Sequence, residues 1–128
     1  MITIEDFDRL YDNFFGFNYA LKDVTYRSGV FFKEKCSNEY FTQVFFSIQE
    51  NLSWLEQNID NIKLGIQEKL PIDADIIVFK NLYIISFSLF FEEKCDIPNI
   101  QLAYGNEVGE TYIIAVMREK QIISVELN

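Results

Sequence analysis

The chain contains no histidine. That absence removes the commonest general base, the Ser-His-Asp and Cys-His nucleophile arrangements, and most zinc and iron ligand sets. Glycine is sparse, with five residues scattered at positions 16, 29, 65, 105 and 109. Neither GxGxxG nor a GxxxxGK loop occurs, so phosphate cradling by a glycine-rich loop has no support. Only two cysteines are present, Cys36 and Cys95, 59 residues apart. That spacing fits neither a redox CxxC nor a zinc site, and both read as free thiols. Each follows a lysine, which favours a thiolate, but no histidine stands ready to make either one a nucleophile. Long apolar runs are also missing. The longest, Leu82 to Phe91, includes two serines and falls far short of the ~20 residues that a spanning helix needs. Met1 is followed by Ile-Thr-Ile-Glu-Asp, with no basic or apolar leader region, which predicts a cytoplasmic protein.

Basic charge is in short supply. Eleven Lys and Arg face twenty Asp and Glu, a net charge of −9 on 128 residues. A field of that sign repels nucleic acid and anionic membranes, and it attracts basic proteins and speeds their encounter. The acid is uneven. Residues 1–29 and 30–70 each carry a net −2, whereas residues 71–128 carry −5. What the chain has in abundance is aromatic and apolar. Thirteen Phe and seven Tyr sit in a sequence that is 49% hydrophobic, which excludes disorder. A length of 128 residues predicts one domain with a sufficient core.

Periodicity predicts helices first and strands second. Ile4, Phe7, Leu10, Tyr11, Phe14 and Phe15 recur at spacings of three and four, behind a Thr3/Asp6 capping box. They predict a helix over 4–15, stopped by Gly16. Residues 21–27 and 30–35 are compatible with two short strands around Ser28-Gly29. Phe45, Ile48, Leu52, Leu55, Ile59, Ile62 and Ile66 form a heptad seam that Ser37 or Asn38 can cap and Pro71 ends. Little more than three heptads favours packing on the protein's own sheet over a coiled-coil dimer. Ser53 to Glu56 is a second capping box that predicts a break near residue 52. From Asp75 the period changes to two, giving strands at 75–80, 83–92, 100–104, 111–118 and 121–127 with a tight turn at Glu119-Lys120. The expected architecture is α+β: N-terminal helices packed on one face of a C-terminal antiparallel β-meander, mainly helical over 1–70 and sheet over 75–127.

One echo stands out. Phe31-Phe32-Lys33-Glu34-Lys35-Cys36 is repeated as Phe90-Phe91-Glu92-Glu93-Lys94-Cys95, and reads as two similar strand ends.

Candidate chemistry is thin. Asp73-Ala74-Asp75 is a DxD, which holds Mg²⁺ in some transferases, but the nucleotide-binding α/β pattern around it is missing. No metal or cofactor is expected. Glu92 and Glu93 could serve a carboxylate-based hydrolase, yet nothing points to the apolar pocket that would raise one pKa. Binding is the stronger expectation. Meander geometry places Asp73 and Asp75 beside Glu92, Glu93 and Asp96 at one end of the sheet, with Glu119. Glu107 and Glu110 then lie at the other end, near Tyr104 and Tyr112. Acid beside aromatics suits docking onto a basic protein.

The acidic N-terminal segment Glu5 to Asp12 and the aromatic stretches Ile84 to Phe91 and Tyr112 to Met117 carry a resemblance to immunity proteins of bacterial contact-dependent inhibition and polymorphic toxin systems. Size, acidity and element order extend it over the whole chain. The resemblance implies a cytoplasmic inhibitor that covers the active site of a cognate toxin, often a basic nuclease. The expected state of the chain itself is a monomer or weak dimer. A phage-type nucleic-acid mimic that blocks a nuclease is the alternative within the same binding class.

Overall fold

The computed structural model describes residues 2–71, 79–92, 96–106 and 111–127. Within these, seven strands and one long helix follow the order β1 (Asp8–Tyr11), β2 (Phe14–Leu21), β3 (Val24–Phe32), α1 (Asn38–Lys69), β4 (Tyr83–Phe91), β5 (Asn99–Gly105), β6 (Ile113–Arg118) and β7 (Gln121–Leu127). The strands form a single sheet in sequence order. All neighbours are antiparallel except β3 and β4, which run parallel. A parallel pair needs a crossover of a dozen residues or more, and α1 supplies it.

This corrects the expected architecture. The sheet is mixed, and β1 and β2 occupy Asp8–Tyr11 and Phe14–Leu21, where a helix over 4–15 was expected. The Thr3/Asp6 capping pattern forms, with the Thr3 N–H donating to the Asp6 carboxylate at 2.7 Å, but it caps one 3₁₀ turn over Ile4–Asp6. Phe7 then adopts extended backbone. Phe14, Phe15, Gly16 and Phe17 continue as strand because aromatics on both faces of a pleated ribbon pack well there. The β2–β3 turn falls at Lys22-Asp23, with Lys22 at a φ of 55°. Ser28 and Gly29 therefore lie mid-strand, where a turn was expected. The expected strand 75–80 falls mostly on residues outside the described set, and Phe79 and Lys80 lie in a helical turn. The two neighbours of β4 are β3 and β5.

The heptad seam packs on the protein's own sheet. Ile48, Leu52, Leu55 and Ile66 have no exposed surface and meet Phe17, Val30, Leu89, Phe91, Leu102 and Met117 in one core cluster. Ser37 caps the helix by accepting from the Tyr40 N–H. The helix runs straight through residue 52 and bends at Asn58, whose φ of −121° is non-helical and whose side-chain amide donates to the Trp54 carbonyl. At Gly65 the helix comes so close to β7 that a Cβ would stand 2.9 Å from the Ile122 side chain.

The two Phe-Phe pairs of the sequence echo are neighbours in the sheet. Phe31 pairs with Phe90 and Phe32 with Phe91 on the adjacent parallel strands. Phe32 and Phe91 stack in the core at 5.0 Å and 7°, and the Lys33 N–H continues the ladder to the Phe91 carbonyl. The two strand ends lie side by side, and Phe32 packs against Tyr40 and Phe41 at the start of α1. No described helix is long and apolar enough to cross a membrane.

Candidate functional site

Three surfaces arise from this frame. The first is the sheet end at which acid was expected to gather. Asp73, Asp75, Glu93, Glu107 and Glu110 lie outside the described residues. Glu92 and Asp96 are exposed at the β4–β5 end, and the β6–β7 turn brings Glu119 to the same end. Lys33, Lys35 and Lys120 are also placed there, so the described part of this end carries mixed charge. Tyr104 and Tyr112 occupy the opposite end, linked by the Tyr112 N–H donating to the Tyr104 carbonyl. Tyr112 is partly exposed, but Tyr104 is 1% exposed on the core face of β5. Tyr104 is therefore corrected from surface anchor to core residue. Its alternation with Leu102, against Gln101 and Ala103, puts it there. Its hydroxyl has no hydrogen-bond partner among the described residues, and burial pushes its pKa above the ordinary value of 10.0.

The second surface lies along α1. The helix carries five acids (Glu39, Glu50, Glu56, Asp60 and Glu68) against Lys63 and Lys69. Lys63 turns inward, donating to the carbonyls of Lys80 and Leu82, and burial lowers its pKa. A groove of about 450 Å³ opens between the helix and the N-terminal segment, lined by Ile2, Tyr19, Phe46, Glu50, Trp54 and Glu56 among others. Gln49 fixes one wall by donating to the Ile2 carbonyl at 2.9 Å. Tyr19 donates to Glu56 at 2.7 Å. Burial first, then that bond and the carboxylate's charge, raise the Tyr19 pKa. Phe46 stands 71% exposed at the groove while Trp54 packs partly against the core. Lys120 reaches the rim.

The third surface is the sheet face opposite the helix. No described helix covers it. Cross-strand register places Tyr11, Phe14, Phe31 and Phe90 in one row over four strands. Phe14 stacks on Phe31 at 4.2 Å and on Tyr11 at 6.3 Å. The next row runs Gly16, Gly29, Ser88, Gln101 and Val116. Gly29 is required here, because a Cβ would meet the Phe14 ring at 2.3 Å. A hollow of about 360 Å³ follows these small residues, bounded by Phe14, Arg27, Phe31 and Ala103. Arg27 pairs with Asp8 at 3.5 Å across its edge.

Neither the α1 groove nor the open sheet face was found by sequence reasoning. Phe46 follows Phe45 and falls off the apolar stripe, so its position on the helical wheel was the available signal. On the open face, Phe31 and Phe90 were visible only as part of the echo. The free Cys36 thiol is buried beside the helix start, raised by burial and lowered by nearby Arg9. Among the described residues no His, Cys, Asp or Glu cluster could hold a metal ion. Comparison of the chain with family models, curated proteins and solved structures finds no match.

Proposed function

We propose that this protein binds a basic protein partner through the α1 groove, and that the partner is a toxin domain whose basic cleft it covers. The observation that carries the reading is Phe46: a phenylalanine 71% exposed, set in one groove with Trp54, Glu50 and Glu56. An exposed ring grouped with a second aromatic and two acids has the composition of an interface anchor, since aromatics carry binding energy while acids around them steer a basic partner into place. The net charge of −9 supplies the long-range attraction. On this reading the protein works by occlusion and has no catalytic role. The acids of the groove stand where the toxin would otherwise hold the phosphates of its substrate.

The test is co-expression with the basic domain encoded beside this gene, followed by affinity measurement on the purified pair. The expected result is protection of the host together with a tight complex that weakens with salt. No complex at low ionic strength, with no protection, would sink the proposal.

A further inference from the structure

The five central strands, β2 to β6, contain no acidic residue on a molecule that has twenty. Their only charges are Arg27 and Arg118, and strand alternation places both on the face opposite the helix. Open faces of antiparallel sheets ordinarily carry alternating charged and polar side chains. This one carries aromatic rings, glycines, serines, amides and short aliphatics. Phe31 and Phe90 remain 38% and 36% exposed upon it.

We infer that this face is the contact surface for a second copy of the chain, joined face to face across a two-fold axis that lies between the two sheets and parallel to them. Charge selects the occupant. Copies that each carry −9 approach most closely where acid is missing, and on the open face that is the β2–β6 patch, flanked by Asp8 on β1, which pairs with Arg27, and by Glu126 on β7. Shape agrees with self-pairing. The aromatic row Phe14–Phe31–Phe90 runs parallel to the row Gly16–Gly29–Ser88, two residues away along each strand. With the axis parallel to these rows and between them, the ridge of one copy faces the hollow of the other, whose walls include Phe14 over Gly29 and Arg27 over Gly16, and such self-complementarity is what an isologous interface requires. Area is sufficient but not generous. Strands about 4.8 Å apart, rising about 3.3 Å per residue, give the five-strand face roughly 600 Å². Two such faces bury about 1,200 Å², the lower bound for a specific interface. The dimer is therefore weak and in exchange with monomer. It does not depend on the proposed basic partner, which docks on the other side of the molecule.

Sedimentation of the purified full chain over a concentration series, at 50 and 500 mM NaCl, tests this. The expected result is a monomer–dimer equilibrium that tightens several-fold at the higher salt, as the repulsion between acidic copies is screened. Gln101→Arg places a bulky charge on an exposed position in the middle of the face. It should weaken the dimer at least tenfold while leaving the thermal midpoint unchanged. Phe31→Ser, which removes one ridge ring, should do the same. A wild-type chain that stays monomeric at millimolar concentration would overturn the inference. A dimer indifferent to Gln101→Arg, or one that loosens with salt, would do so too. So would native mass spectrometry that finds a monomer with a small molecule retained, since the hollow would then belong to a ligand.

Discussion

The outward side of α1 and the open side of the sheet enclose the same core and are built by opposite rules. The helix side carries acid at Glu39, Glu50, Glu56, Asp60 and Glu68, and its exposed apolar side chains, Phe46 and Leu64, stand apart from one another. The sheet side excludes acid over five strands and gathers its rings into a continuous row. Helical spacing lets an apolar stripe and a charged stripe coexist on one element. A strand offers only two faces, so a chain that places Phe on both has given up the solvated face for something else. The contrast teaches that net charge alone describes neither surface. An average of −9 conceals one side that carries acid along α1 and another that carries none over five strands.

Several substitutions would break or sharpen this contrast, and the largest effect comes from the layer between the two sides. Leu55 is fully buried where α1 meets the sheet. Leu55→Asp buries an unpaired carboxylate at a cost of about 4 kcal/mol or more, which should unfold the protein and abolish both surfaces together. Circular dichroism through a thermal ramp reads the outcome; a cooperative transition at the wild-type midpoint would show that the two layers do not depend on this contact.

Phe46→Ala acts on the helix side alone. It should lower affinity for the basic partner by about 2 kcal/mol, the scale of a hot-spot truncation, while stability moves by less than about 0.5 kcal/mol. Calorimetric titration and thermal melting of the same preparation separate the two effects.

Alkali probes the packed interior. Burial raises the pKa of Cys36 above 9.0 and those of Tyr19, Tyr26 and Tyr104 above 10.0. The folded chain therefore holds these protons more firmly than the unfolded chain. Their contribution is complete below pH 9 and declines as pH rises past 9 and then 10. Lys63, lowered from 10.5, acts in the opposite direction just below that value, since the unfolded chain binds its proton better. Four groups outweigh one, so urea unfolding midpoints should hold steady to about pH 9 and then fall.

The smallest expected effect is at Tyr104, whose buried hydroxyl lacks a partner among the described residues. Tyr104→Phe removes a desolvated group that gains nothing, and should leave stability unchanged or raise it by about 1 kcal/mol. A loss above that size would mean that the hydroxyl is satisfied in solution.

The C-terminal strands were legible because β4 to β7 keep a period of two with a clear inner set: Phe87, Leu89, Ile100, Leu102, Ala115 and Met117. The seam of α1 was legible for the same reason at its own period. The N-terminal strands were not. Ile4, Phe7, Leu10, Tyr11, Phe14 and Phe15 imitate helical spacing, because rings on both faces of β2 erase the alternation that marks a strand. The parallel pairing of β3 with β4 was beyond periodicity altogether. Its trace was the repeated Phe-Phe at positions 31–32 and 90–91, which looks like coincidence until a crossover sets the two strands side by side. The acidic sheet end was inferred from a 75–80/83–92 hairpin, and β3 now occupies the place beside β4 on which that geometry rested. Acidity as a composition was visible from the start. Its absence from one face required the register.

The most direct test is the affinity for the basic partner at 50 and 500 mM NaCl, measured for the wild-type chain, Glu50→Lys and Gln101→Arg. The account predicts at least a tenfold loss with salt for the wild type, a further loss for Glu50→Lys, and wild-type behaviour for Gln101→Arg. An affinity indifferent to salt and to Glu50→Lys, but destroyed by Gln101→Arg, would place the partner on the sheet and contradict it.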